Sequence, residues 1–127
     1  MARFRTKTKI LKIPEQSEHQ IQATLIDILN YKIRPAIVRM SIPNGGLRHP
    51  RVGAMLKAEG LLPGSPDLIF ALEKGKVLWL EMKTKKGRLS DTQIGIHHKL
   101  EQLGHVVETA HSIDQALHIL EKHGVLK

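Results

Sequence analysis

Pro63-Gly64-Ser65-Pro66-Asp67, then the apolar run Leu68-Ile69-Phe70-Ala71-Leu72, then Glu73-Lys74-Gly75-Lys76, then Val77-Leu78-Trp79-Leu80-Glu81-Met82-Lys83: these 21 residues decide how the chain folds. The stretch reads as two strands joined by a tight turn. Side chains alternate faces along a strand, so Glu81 and Lys83 point the same way as Val77 and Trp79. Glu73-Lys74-Gly75 reads as a three-residue loop, a type I turn with glycine in the left-handed position forming a bulge. Leu72 then pairs with Lys76, paired numbers sum to 148, and Asp67 faces Glu81. A two- or four-residue loop would put the two acids on opposite faces.

Like charges set opposite one another destabilise a sheet unless a cation lies between them. Oxygen donors without cysteine or a histidine pair select a hard ion, Mg²⁺ or Mn²⁺, over zinc. The main-chain carbonyl of Met82, between the two side chains, is placed to be a further ligand. Lys83 could hold an attacking water and neutralise charge growing on a phosphate. The competing explanation is a surface salt bridge between Glu81 and a lysine. Against it, the acid follows a Pro-Gly-x-Pro turn, and Glu-x-Lys ends an otherwise apolar strand, where charge is costly.

Working outward, residues 1–13 form a basic arm with five cations and no acid, read either as a phosphate-binding arm or as a frayed terminus. A helix runs from the Pro14–Ser17 region to about Tyr31, its stripe formed by Ile21, Leu25, Ile28 and Leu29. Glu18 falls on that stripe near the helix N-terminus, placed either for the helix dipole or for the site. Residues 36–42 form a strand leading into Asn44-Gly45-Gly46 and Arg48, which is a turn or a loop lying on a DNA backbone. A second helix after His49-Pro50 places Val52, Met55 and Leu56 inward. Beyond the hairpin, Lys85, Lys86 and Arg88 make a basic turn. Ser90 and Gln93 have capping-box spacing, and Gln93 also opens an inward stripe with Ile96, His97, Leu100 and Leu103. A short strand at 105–109 and a last helix, capped by Ser112 with Gln115, complete the order αβαββαβα. Residues 14–127 read as one domain.

Composition narrows the function. Lys and Arg outnumber Asp and Glu by 20 to 12, a net charge of +8 on 127 residues, which favours a polyanionic partner, nucleic acid above all. With one Trp, one Tyr and two Phe, base stacking on aromatic platforms has little to work with. The absence of cysteine excludes disulfides and thiolate metal sites. No apolar run reaches the roughly 20 residues that span a bilayer, and the start lacks a signal-peptide apolar region. A soluble, cytoplasmic protein is expected. The eight histidines show no metal-binding spacing. His97 reads as packing at the core edge, and His98, His105, His111, His118 and His123 as surface or cap positions.

These motifs resemble the PD-(D/E)xK nuclease superfamily and, more narrowly, the VRR-NUC domain, the virus-type replication–repair nuclease module. The resemblance rests on residues 43–48, Pro-Asn-Gly-Gly-Leu-Arg; 53–60, Gly-Ala-Met-Leu-Lys-Ala-Glu-Gly; 63–68; Leu80-Glu81-Met82-Lys83; and 87–93, Gly-Arg-Leu-Ser-Asp-Thr-Gln. It covers roughly Ser17 to Leu120. Ser65-Pro66 departs from it, since the family often has a small apolar residue before the acid. It implies a restriction-endonuclease-like core, a small mixed sheet flanked by helices, and metal-dependent phosphodiester hydrolysis. By the resemblance Asp67 and Glu81 are metal-binding acids, Lys83 the catalytic lysine, Gln93 a supporting residue, and Glu18 the acid that completes the cluster. Stand-alone members look like homodimeric endonucleases acting on branched DNA such as four-way junctions. The alternative is a non-catalytic basic DNA-binding module on the same fold.

Overall fold

Helices and strands follow one another in the expected order. In the computed structural model, which describes residues 16–43 and 50–127, they are α1 (Glu18–Lys32), β1 (Val38–Ser41), α2 (Pro50–Ala58), β2 (Leu68–Ala71), β3 (Val77–Met82), α3 (Asp91–Gln102), β4 (Val106–Ala110) and α4 (Ile113–Lys122). The basic arm and Asn44 to Arg48 lie outside the described residues. No described helix is long and apolar enough to cross a membrane.

The four strands make one mixed sheet in chain order, with β1, β2 and β3 antiparallel and β4 parallel to β3. A parallel neighbour needs a crossover, and α3 supplies it. Alternation along β3 sorts the molecule into two sides. Leu78, Leu80 and Met82 are fully buried in one cluster with Ile21, Leu25 and Leu29 of α1 and Ala116 and Leu120 of α4. Burying side chains of this size stabilises by about 1.5–3 kcal/mol each, so this side carries most of the core. Val77, Trp79 and Glu81 point to the other side, where His97 of α3 meets Glu81.

The hairpin has the expected register: Leu68 pairs with Leu80 and Ala71 with Val77, so paired numbers sum to 148. Its turn differs from the expected one. Lys74 (φ 61°) and Gly75 (φ 73°) are both left-handed, where a type I turn with glycine alone was expected. Two left-handed residues match the right-handed twist of the flanking strands. Glu73 is the extra residue that preserves the register, since the Leu72 N–H still donates to the Lys76 carbonyl at 2.8 Å.

Helix starts follow the capping chemistry, with one exception. Ser17 and Gln20 cap α1 reciprocally, and Ser90 and Gln93 cap α3 in the same way. At α4, Ser112 accepts from the Gln115 N–H, but the Gln115 side chain accepts from the His111 N–H at 2.8 Å. Ser112 is fully extended (φ −159°) where Ser17 and Ser90 are near −70°, which turns its own N–H away from the first turn.

Two packing expectations fail. Val52 and Met55 of α2 are 44% and 61% exposed, and α2 buries no side chain among the described residues. Of the expected stripe only Leu56 is half-buried. Leu103 is 75% exposed because the helix ends there: it is the C-cap of α3, and its side chain leaves the stripe.

One glycine fixes the loop that carries the first acid. Gly64 (φ +89°) lies so close to the first turn of α3 that a Cβ would sit 2.9 Å from the Thr92 backbone. Gly64→Ala therefore meets both left-handed strain and a backbone clash, and we expect a loss of about 1–3 kcal/mol in urea unfolding. Gly75→Ala, with open space around its Cβ position, costs only the left-handed strain, about 1 kcal/mol. Equal losses for the two would show that the loop does not dock on α3.

Candidate active site

Three backbone facts bring the acids together. The Asp67 carbonyl accepts from the Ile42 N–H at 2.8 Å, tying the residue to the end of β1. Its Oδ2 accepts from the Met82 N–H at 2.7 Å, tying its side chain to β3. Continued one residue past Leu68–Leu80, the register sets Asp67 opposite Glu81. One residue further, Pro66 stands opposite Met82. A residue's N–H and C=O point to the same side of a strand, so the Met82 carbonyl also faces Asp67. Pro66 has no N–H to donate to it. The proline thus leaves this ladder position without its usual donor, beside two carboxylates.

Burial sets the electrostatics. Glu81 is 1% exposed. Burial, followed by the Asp67 carboxylate within hydrogen-bonding reach and its negative charge, pushes the Glu81 carboxyl up to about 9; Lys83 pulls the other way. Among the described residues Glu81 Oε1 has no hydrogen-bond partner, and neither has His97 Nε2, which lies 3.4 Å from it. Burial pushes the His97 imidazole below its usual range. Lys83 is buried too, and its Nζ lies 3.6 Å from Glu18 Oε1 at the start of α1.

The Glu18 side chain is half exposed and pairs with Lys83. Among the described residues no three His, Cys, Asp or Glu side chains cluster as a ready-made metal cage. Two carboxylates with a main-chain carbonyl suit a hard ion that keeps several waters and takes its remaining ligands from substrate phosphate. A buried carboxylate oxygen with no partner among the described residues, beside a carbonyl that faces proline, fits such an ion.

A family model, the VRR-NUC domain, matches residues 16–114. The chain belongs to the VRR-NUC domain family. A solved structure titled "VRR_NUC domain protein" is similar over 84% of this chain and 87% of its own, at 19% identity and a TM-score of 0.65. A second, titled "VRR_NUC domain", is similar over 84% and 95%, at 18% identity and a TM-score of 0.55. Both share the fold, consistent with the restriction-endonuclease-like core. No curated protein sequence matches significantly.

In this VRR-NUC chain, Asp67, Glu81, Met82, Lys83 and Glu18 meet at one end of the sheet. Gln93 is half buried on the first turn of α3, its Oε1 held by the Ser90 N–H at 2.9 Å, so the capping role is real. Lys85, Lys86 and Arg88 are exposed on the turn after β3. That turn is pinned by His111 Nδ1, 3.0 Å from the Thr84 carbonyl. Asn44, Gly45, Gly46 and Arg48 lie outside the described residues.

The histidines need correcting. His98 and His118 are exposed and His123 is the C-cap of α4, as expected; but His105, which accepts from Trp79 Nε1 at 3.0 Å, and His111 are half-buried, bonded groups, and His123 also lies 3.1 Å from Glu108. His97 was placed inward by its spacing but given no partner. The signal was its position four residues after Gln93, on the face that meets Glu81.

Proposed function

We propose that this protein is a divalent-metal-dependent DNA endonuclease. Asp67, Glu81 and the Met82 carbonyl would hold Mg²⁺ or Mn²⁺, with Glu18 at the rim. An ion bound there would lower the pKa of a coordinated water and polarise a phosphoryl oxygen. The observation that carries the reading is the pairing of two carboxylates across the hairpin, one almost fully buried, with a buried lysine beside them.

The residues divide the work. Lys83, its ammonium fixed by Glu18, neutralises charge on the scissile phosphate and orients the nucleophile. Gln93, braced by its cap, has an amide nitrogen left to steady that water or the phosphate. Lys85, Lys86 and Arg88 take backbone phosphates on either side, and Asn44, Gly45, Gly46 and Arg48 extend this surface. Such contacts position DNA without reading its sequence.

The substrate we favour is branched DNA, four-way junctions or flaps, cut by two copies acting as a homodimer, because two symmetric cuts need two sites. The exposed apolar residues that support pairing are Val38 and Met40 of β1 with Val52 and Met55 of α2. Ile94 of α3 and its C-cap Leu103 are exposed as well.

The test compares cleavage of labelled junction, flap, duplex and single strand in Mg²⁺, by wild type and by the Lys85→Ala/Lys86→Ala/Arg88→Ala variant. We expect the junction or flap to be cut fastest. In binding assays the triple variant should lower the slope of log K against log salt by about 2–3. Equal cutting of all four DNAs by a monomer would remove the branched-DNA, two-copy part.

A further inference from the structure

We propose that His97 is a positioning residue for Glu81: its Nε2–H holds the inner carboxylate oxygen, Oε1, and turns the other oxygen toward Asp67 and the ion. The inference rests on the metal-site reading above and adds a residue to it. His97 is 6% exposed, on α3 one turn beyond Gln93, and its Nε2 lies 3.4 Å from Oε1. Both atoms are buried, and neither has a hydrogen-bond partner among the described residues. A buried polar atom left unpaired costs about 1–3 kcal/mol, so two facing each other across one gap are far more stable joined. The gap exceeds a normal N–H···O distance by only a few tenths of an ångström.

The charge on the imidazole is not what matters. Neutral or charged, the ring can carry a proton on Nε2. What matters is that the inner oxygen of Glu81 is buried, out of reach of bulk solvent, and faces α3 at His97. Carboxylates that bind ions are themselves held by outer hydrogen bonds, and losing such a partner typically weakens metal binding about 10–100-fold.

The experiment measures Mn²⁺ binding to the full chain, by loss of the free-ion electron paramagnetic resonance signal, for wild type, His97→Leu, His97→Gln and Asp67→Asn. Melting curves confirm that each is folded. We expect His97→Leu to bind about 10–100-fold more weakly. His97→Gln, whose amide reaches close to the Nε2 position, should recover most of the loss. Wild-type affinity in His97→Leu, with Asp67→Asn weakened, overturns the inference and leaves the metal site standing. Wild type binding no better than Asp67→Asn overturns the site and the inference together. Should His97→Leu fail to fold, the wild type decides: ¹⁵N spectra in Mg²⁺ should show the His97 proton on Nε2. A bare Nε2 overturns the inference.

Discussion

Lys83→Ala is expected to cleave DNA in saturating Mg²⁺ about 10²–10³-fold more slowly than wild type, with DNA affinity nearly unchanged. The size follows from where the ammonium is held. It is buried on the same strand face as Glu81, and its Nζ is fixed 3.6 Å from Glu18. A charge fixed in advance stabilises a developing negative charge without reorganising. The fold should survive, because the partner left behind, Glu18, is half exposed and water can replace the ammonium. Lys83→Arg should not rescue the rate, since a planar guanidinium does not fill the place of a compact ammonium. Asp67→Asn should be at least as slow, and is preferable to alanine because its carbonyl oxygen can still accept the Met82 N–H. Single-turnover rates beside filter-binding affinities measure both. A variant that loses binding and rate in proportion would mean that Lys83 only holds DNA.

The second large effect is on pH. In the metal-free protein the Glu81 carboxyl is raised from 4.5 to about 9, by burial first and by Asp67 second. An ion must therefore displace a proton. Mg²⁺ affinity should rise up to roughly tenfold per pH unit from neutrality to about pH 9, then level off. Stability moves the opposite way. Between about 4.5 and 9 the folded state holds a proton that the unfolded chain releases, so metal-free stability falls as pH rises through that window. The groups facing Glu81 are Asp67, Glu18, Lys83 and His97, and only the Lys83 charge lowers its pKa. Glu81→Gln should remove the fall in stability and abolish metal binding. Calorimetry with Mg²⁺ and melting curves from pH 6 to 9 check both. A flat affinity profile would mean that Glu81 does not bind the ion.

The site's two-strand floor was legible in the chain because a strand has a period of two and the glycine-containing turn allows one register. Those rules put Asp67 opposite Glu81 before any packing is known. The turn conformation was not legible: strand twist selected two left-handed residues, and Lys74 accepted one of them. Helix periodicity marks an apolar stripe but does not say what covers it, which is why Val52 and Met55 turned out exposed. The Ser112 cap failed by half because it depends on a φ set by the end of β4. The histidines were least legible, since His97, His105, His111 and His123 take their meaning from partners 15 to 27 residues away or on another element. Glu18 and Gln93 were open between capping and site roles from spacing alone. In the fold Glu18 lies on Lys83, and Gln93 is held in its cap by the Ser90 N–H.

The most direct test is a metal-start reaction. Wild-type protein is bound to a labelled four-way junction in EDTA, and excess Mg²⁺ or Mn²⁺ is then added. We expect no cutting before addition, strand cleavage after it, and none by Asp67→Asn bound to the same DNA. Stable binding with no cleavage in either metal would leave only a DNA-binding module, and cleavage that persists in EDTA would exclude a metal held by Asp67 and Glu81.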